Sequence, residues 1–227
     1  MIKIVKTDRR SIWHKAADII SEKIDAVIAS SQKTLLLLSA GSAVNIYPLF
    51  AEKLKNLSKK PHFLTIAQAD ERFQPENKED INAYQIEKSG LTFYAVDQKG
   101  TMEESAQKYN QTISKLYKNT DFRIAILGIG DDGHTAGLLP GYRKLWDKDT
   151  FAVGYENKGR FPQRITLTPK AFQQCNFAVV CLAGKTKKQV LWKLERESEE
   201  GLNIFPASIL YSIPEAVVLA DAKNPGS

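Results

Sequence analysis

The sequence predicts an α/β protein in which a doubly wound, mostly parallel sheet carries helices on both faces. Short apolar runs alternate along the chain with longer stretches that have the periodicity of amphipathic helices. Several of the short runs are apolar at every position, as in strands that are buried on both faces. No repeat or low-complexity tract interrupts this alternation, so we expect a single domain over residues 1–227.

Seven apolar runs have the composition and length of buried strands. In chain order they are IKIV (2–5), TLLLLS (34–39), FLTIA (63–67), TFYAV (92–96), RIAILG (123–128), FAVVCLA (177–183) and EAVVLA (215–220). A further short strand is expected within QRITLT (163–168).

The stretches between these runs predict four amphipathic helices. They cover Ile12–Ala29, Val44–Leu57, Met102–Tyr117 and Lys185–Glu197. The segment from Tyr142 to Pro162 is the least regular, and we expect it to form loops near the ligand site.

The segments that follow four of the strands are candidates for a shared site. In open α/β sheets, ligands bind beyond the carboxyl ends of the strands, and those ends meet at one edge of a parallel sheet. The four segments are SAGSAVN (39–45), QADERFQPENKEDIN (68–82), GIGDDGH (128–134) and GKTKK (184–188).

The segment from Gly128 to Gly133 has the G-x-G-x-x-G spacing of a dinucleotide-binding turn. That turn normally belongs to the first βα unit, whereas this one lies past the middle of the chain. Asp131 and Asp132 would also place negative charge beside a pyrophosphate, and Pro140 stands where the following helix should continue. The context therefore argues against a nicotinamide or flavin site.

His134 is the candidate acid/base residue of this segment. It is one of three histidines, and its spacing from His14 and His62 matches no metal-binding pattern, so no metal site is predicted. A carboxylate two residues earlier, that of Asp132, can orient the imidazole so that it accepts a proton from water. The alternative is that His134 is an ordinary polar residue of a surface loop.

Small and basic residues in the other segments are candidates for binding a phosphate. Gly41 and Ser42 can bring backbone N–H groups close to an anion, although a plain strand-to-helix turn capped by Ser42 is an equal alternative. Arg72, Arg164 and Lys185 each lie at the end of a strand or start of a helix, where they can grip a phosphate or can simply be surface charges.

Composition and charge indicate which binding partners and which cellular compartment to expect. The net charge is +6, but the lysines are dispersed, which favours a solvated surface or a field that attracts small phosphorylated metabolites over nucleic-acid binding. Cys175 and Cys181 would lie too far apart along one strand to pair, and isolated thiols are typical of the cytoplasm. No apolar run is long enough to span a membrane, and no secretory signal is apparent.

Together these segments resemble the 6-phosphogluconolactonase family, which has the glucosamine-6-phosphate deaminase-like (NagB/RpiA-like, modified Rossmann-like) fold. The strongest match is LGIGDDGHTAGLLPG (127–141) against the family pattern L-G-x-G-x-D-G-H-T-A-S-L-F-P-G. DERF with DIN, RITLT, AGKTKKQVL and FPAS match further blocks of the family in the same order.

The resemblance implies hydrolysis of 6-phospho-D-glucono-1,5-lactone to 6-phosphogluconate in the oxidative pentose phosphate pathway, without a cofactor. It implies that His134 is the general base, that Asp132 is its neighbouring acid, and that Arg72, Lys185 and Arg164 bind the substrate phosphate beside Gly41 and Ser42. Asp131 stands where the family often has proline and receives no role. The expected partner is a phosphorylated sugar lactone, with no nucleic acid or membrane, and the expected protein is a cytoplasmic monomer or weak homo-oligomer.

Two alternative functions remain open. The family loop S-G-G-S-T-P is replaced here by SAGSAV (39–44), which leaves a non-catalytic sugar-phosphate-binding protein conceivable. A glucosamine-6-phosphate deaminase/isomerase is the other rival. Against it, no carboxylate occurs between Thr135 and Gly141, where the related deaminases carry a glutamate. Gly137 and Leu139 replace the usual serine and phenylalanine, which we expect to have milder effects.

Overall fold

A six-stranded parallel sheet forms the centre of the computed structural model, which describes residues 1–56, 61–197 and 199–221. The strands of the whole structure are β1 (Ile2–Thr7), β2 (Thr34–Leu38), β3 (Leu64–Gln68), β4 (Asp70–Arg72), β5 (Phe122–Leu127), β6 (Ala152–Glu156), β7 (Gln163–Leu167), β8 (Phe177–Leu182) and β9 (Glu215–Asp221). The central sheet has the order β1-β9-β8-β5-β2-β3, and every neighbouring pair in it is parallel.

Helices cover both faces of this sheet. They are α1 (Ile12–Ala29), α2 (Tyr47–Asn56), α3 (Asn82–Glu87), α4 (Met102–Lys118), α5 (Arg143–Trp146), α6 (Pro169–Phe172) and α7 (Lys188–Glu195), with 3₁₀ turns at Gly41–Asn45, Pro61–Phe63, Lys78–Asp80, Lys185–Lys187 and Pro206–Ser212. None of the helices in the described part of the chain is long and apolar enough to cross a membrane.

Alternate residues of β2 show why the sheet needs cover on both sides. Leu36 and Leu38 pack into one apolar cluster with α1 and α2, while Leu35 and Leu37 pack into a second with α4 and α7. All four side chains are fully buried, because successive residues of a strand point to opposite faces. The prediction of a doubly wound α/β fold is therefore confirmed.

Helix boundaries follow local chemistry. Helix α1 has the predicted bounds, and α4 begins at a capping box in which Thr101 accepts from the Glu104 backbone N–H while the Glu104 carboxylate accepts from Thr101. The predicted helices from Val44 and Lys185 each open instead with a 3₁₀ turn. The predicted end of the first of these, Leu57, lies outside the described residues.

Two predictions of strand content were wrong. The run TFYAV forms only an isolated bridge between Tyr94 and Ala67, because Val96 turns its N–H to the side chain of Gln68 instead of to a neighbouring strand. The segment expected to form loops, 142–162, contains α5 and β6. Strand β6 pairs with β7, and β7 with β4, in a separate antiparallel sheet that sequence periodicity did not reveal.

The topology places the predicted segments at one edge, as expected. The four strands that precede them, β8, β5, β2 and β3, are consecutive in the sheet. Strands β2 and β5 are neighbours, and the chain proceeds outward from them in opposite directions, so the crevice of the fold opens between the segments that follow them. Cys175 and Cys181 are buried free thiols, as the sequence predicts.

Candidate active site

A cavity of about 290 Å³ lies at this edge of the sheet. Five of the seven predicted site residues line it, and they come from the segments after β2, β3 and β5 and from β7. The lining residues are Ser39, Ala40, Gly41, Ser42, Asp70, Arg72, Asn82, Gly128, Ile129, Gly130, His134, Ala136, Phe161, Arg164 and Lys187.

The glycine-rich turn after β5 folds back on itself and does not open a helix. The N–H of Gly130 donates to the carbonyl of His134 (2.8 Å), and the N–H of Gly133 donates to the carbonyl of Gly130 (3.0 Å). Gly133 has φ +85°, a conformation that favours glycine. The hydroxyl of Thr135 closes the base of the turn by donating to the Gly128 carbonyl at 2.9 Å. This geometry presents a side chain to the cavity instead of a row of N–H groups to a pyrophosphate.

His134 and Asp132 form a hydrogen-bonded pair in the turn. The Asp132 carboxylate oxygen Oδ1 lies 2.6 Å from Nδ1 of His134 and also accepts the His134 backbone N–H at 3.0 Å. The hydrogen bond from His134 lowers the pKa of Asp132 to about 2, so the carboxylate is ionised near neutral pH and can only accept. Nδ1 therefore carries the hydrogen, and Nε2 is the atom left to take a proton. Asp132 does not line the cavity, whereas His134, its hydrogen-bond partner, does.

Two arginines that stand side by side also line the cavity. Arg72 of β4 and Arg164 of β7 are directly paired across the antiparallel strands. Like charges in that arrangement repel, which favours an anion between or above them. The guanidinium of Arg72 stacks on the Phe161 ring with its carbon 4.2 Å from the ring centroid, and donates to the carbonyl of Asp80 at 3.1 Å.

Asp70 is a buried carboxylate of the cavity that our sequence analysis gave no role. Burial raises its pKa, and the nearby guanidinium groups of Arg164 and Arg72 oppose that rise. Its Oδ2 accepts from Asn82 Nδ2 at 2.8 Å, whereas no donor among the described residues reaches Oδ1. Asp70 and Asn82 stand in the DERF and DIN blocks, but only the fold shows that their side chains meet.

The position of the cavity lysine corrects one prediction. Lys185 is exposed and does not line the cavity, whereas Lys187, two residues later, does. A 3₁₀ turn has three residues per turn, so residues two apart point to different sides of it. The ammonium of Lys187 donates to the Ile129 carbonyl and lies against the Asp131 carboxylate, both at 2.6 Å. Lys187, and not Lys185, is therefore the lysine that lines this cavity.

The small-residue loop after β2 also lines the cavity. Gly41 has φ +68° and begins the 3₁₀ turn, and Ser42 is half-buried beside it. Ser39 is fixed beneath them, because its hydroxyl donates to the Ile126 carbonyl at 3.0 Å and its own carbonyl accepts from the hydroxyl of Tyr47. The loop thus keeps a defined conformation without the threonine and proline of the family pattern.

Gly137, another departure from the family pattern, packs closely against the side chain of Thr166. A Cβ at position 137 would lie 2.5 Å from the Thr166 Cβ, and the Gly137 N–H donates to the Thr166 hydroxyl at 3.1 Å. The threonine side chain leaves no room for the serine that the family usually has there. Among the described residues, no group of three His, Cys, Asp or Glu side chains is arranged to hold a metal ion.

Glu71 accepts hydrogen bonds from the backbone of Arg72 and Asn82, two residues that line the cavity. Its fully buried carboxylate accepts the N–H groups of Asn82 (2.5 Å), Ala83 (2.9 Å) and Arg72 (2.7 Å) and the amide of Gln68 (2.8 Å). Burial outweighs these hydrogen bonds and raises the pKa of Glu71 from 4.5 to about 7. The folded state therefore holds this proton more tightly than the unfolded state does.

We expect Glu71 to make stability fall as pH rises. Its contribution to the free energy of unfolding is complete below about pH 4.5 and is lost as pH rises through about 7. The two limits differ by roughly 3 kcal/mol of that free energy. Glu71→Gln removes the titration but turns one accepting oxygen into an NH2 donor, so we expect the variant to be less stable at every pH, and the pH dependence of the difference is the informative quantity. Urea unfolding of both proteins from pH 4.5 to 8 measures the difference, and a gap between them that does not change with pH would contradict the prediction.

Comparison with known proteins decides the family. The family model described as "Glucosamine-6-phosphate isomerases/6-phosphogluconolactonase" matches residues 7–218. The chain belongs to this family. Within it, a 6-phosphogluconolactonase from Borreliella burgdorferi is 31% identical over 199 residues, which cover 81% of each chain.

Solved structures agree on the fold of the family. The 6-phosphogluconolactonase from Thermotoga maritima superposes with a TM-score of 0.79 at 20% identity, over 97% of this chain and 99% of that one. A monomeric glucosamine-6-phosphate deaminase superposes with a TM-score of 0.74 at 19% identity, over 98% of each chain. Since both activities occur on this fold, the residues of the cavity must distinguish between them.

Proposed function

We propose that this chain is a 6-phosphogluconolactonase, which hydrolyses 6-phospho-D-glucono-1,5-lactone to 6-phosphogluconate in the oxidative pentose phosphate pathway. The observation that carries the proposal is that one cavity is lined both by His134, which is hydrogen-bonded to Asp132, and by the cations Arg72, Arg164 and Lys187. Relatives named 6-phosphogluconolactonase support the same activity. The loop from Thr135 to Gly141 lacks a carboxylate for the proton transfers of a deaminase.

His134 activates water in the proposed reaction. Nε2 takes a proton from a water molecule while the water oxygen bonds to the lactone carbonyl carbon and forms a tetrahedral intermediate. The bond between that carbon and the ring oxygen then breaks, and the ring oxygen takes the proton back from the imidazolium. The carboxylic acid formed at that carbon then loses its proton to solvent, which leaves the carboxylate of the product. The ionised Asp132 holds Nδ1 and stabilises the positive charge that His134 carries between the two steps.

The cations position the substrate through its phosphate. Arg72, Arg164 and Lys187 line the cavity together with the loop of Gly41 and Ser42. Arginine offers a planar pair of donors to phosphate oxygens, and lysine adds a point charge. Binding energy from the phosphate, remote from the reacting carbon, holds the carbonyl near His134.

A coupled assay of freshly generated lactone tests the proposal. We expect hydrolysis well above the spontaneous rate, measured as formation of 6-phosphogluconate in the presence of its dehydrogenase. Tight binding of 6-phosphogluconate with no acceleration would indicate a sugar-phosphate-binding protein instead. Release of ammonia from glucosamine 6-phosphate would indicate the deaminase/isomerase.

A further inference from the structure

Asp131 forms an ion pair with the lysine of the cavity. Its Oδ1 lies 2.6 Å from Nζ of Lys187, whose side chain is only 14% exposed, while that of Asp131 is 57% exposed. Lys187 has three N–H donors, of which one goes to the Ile129 carbonyl and one to Asp131. One donor is therefore left for a ligand, and a negative charge of the protein lies beside it.

The pair links two segments of the site and is ionised near neutral pH. Hydrogen bonds from Lys187 and Thr186 lower the pKa of Asp131, so its carboxylate remains charged. Asp131 belongs to the turn after β5, whereas Lys187 and Thr186, which donate to it, belong to the 3₁₀ turn after β8. At this position the family pattern often has proline, which would leave the lysine without this partner.

We propose that Asp131 is a charge-balancing residue that limits how tightly the cavity holds anions and so favours release of the product. The effect on the product rests on the proposed function. Hydrolysis of a lactone creates a carboxylate, so the product carries one more negative charge than the substrate. In the proposed reaction that charge forms at the carbonyl beside His134, within the cavity that Lys187 also lines. Asp131 thus opposes the product more strongly than the substrate.

Electrostatics sets the size of the expected effect. Asp131 acts on an anion at Lys187 in two ways, by direct repulsion and by partly neutralising the ammonium. At a separation of a few ångströms near a protein surface, such interactions change affinity by about tenfold or more. Arg72 and Arg164 share the cavity and keep their charges, so removing Asp131 leaves the net positive field larger by one unit.

Calorimetric titration with inorganic phosphate tests the proposal independently of catalysis. We expect Asp131→Asn to bind phosphate about tenfold more tightly than the original protein at low salt, with the gain shrinking as salt is added. The matched control is Asp149→Asn, which changes the net charge equally and breaks the exposed Asp149–Lys170 pair at 2.7 Å. We expect less than about a twofold effect there. Unchanged or weaker phosphate binding by Asp131→Asn would overturn the proposal.

A double-mutant cycle with Lys187→Gln tests the route of the effect. We expect the gain from Asp131→Asn to fall below about threefold in the Lys187→Gln protein, since the neutralised ammonium is then absent. A gain that persists in full would overturn the role given to the ion pair. Circular dichroism and thermal unfolding check that each variant is folded.

Product inhibition tests the step that depends on the proposed function. We expect Asp131→Asn to be inhibited by 6-phosphogluconate at lower concentration, with a lower KM for the lactone and no increase in kcat. Inhibition that does not change, despite tighter phosphate binding, would overturn the role in product release. If the original protein has no lactonase activity at all, the proposed function fails, while the phosphate titration still decides the charge-balancing role.

Discussion

Replacing His134 with alanine is expected to lower kcat for lactone hydrolysis by about 10²–10⁴-fold, the range for loss of a general base. The variant keeps the cations and the loop that bind the phosphate, so KM should change far less than kcat. The measurement is the initial rate of the coupled assay after subtraction of spontaneous hydrolysis. Small imidazole added to the assay should restore part of the activity, because it can enter the space that the side chain leaves.

The matched control is His14→Ala. His14 is an exposed residue of α1, on a helix that lines no part of the cavity, so its loss should leave both kcat and KM unchanged. If His134→Ala retained near-native turnover, water would have to be activated by another group. Asp70 would then be the first candidate, because it is the buried carboxylate in the same cavity.

The central sheet could be predicted because its signal is local. Strand β2 is a short apolar run buried on both faces, and α1 shows the 3.6-residue period over its full length. The edge at which the site forms follows from this alone, because parallel strands place their carboxyl ends together. His134 and Asp132 are two residues apart in one turn, so their contact was also within reach of the sequence.

The part of the cavity formed by Arg72, Arg164, Asp70 and Asn82 depends on contacts between residues that are distant in sequence. Arg72 faces Arg164 only because β4 and β7 pair in a second sheet, and no local pattern encodes that register. Likewise, the amide of Asn82 reaches Asp70 through the chain reversal that Glu71 stabilises. Lys187 and Lys185 differ in which side of the 3₁₀ turn they occupy, and only Lys187 faces the cavity. The sequence does not reveal this difference, because a shift of two residues in a lysine-rich segment leaves the pattern almost unchanged.

Gly130→Ala should abolish most of the activity while His134 is still present. A Cβ at position 130 would lie 2.1 Å from both Cε1 and Nδ1 of His134 and 2.6 Å from Oδ1 of Asp132. Gly130 is not among the glycines with positive φ, so alanine suits its backbone and the strain falls on the imidazole. We expect the ring to move away from Asp132 and kcat to fall by about 10²-fold or more, since small misplacements of catalytic groups are costly.

Stability should change little in the same variant, because the His134 side chain is 36% exposed and can turn toward solvent. We expect a loss of about 1 kcal/mol or less, at the lower end for overpacking. The matched control is Gly201→Ala, where nothing lies within 4 Å of the added methyl group.

Comparing His134→Ala with Gly130→Ala distinguishes the effect of losing the imidazole from the effect of displacing it. Added imidazole should help His134→Ala but not Gly130→Ala, since in the latter the new methyl group and the displaced ring occupy the space beside Asp132. Near-native activity of Gly130→Ala would mean that contact between His134 and Asp132 is not required for turnover. A loss of activity with a parallel loss of folded protein would instead assign Gly130 to stability, which unfolding curves of the same samples distinguish.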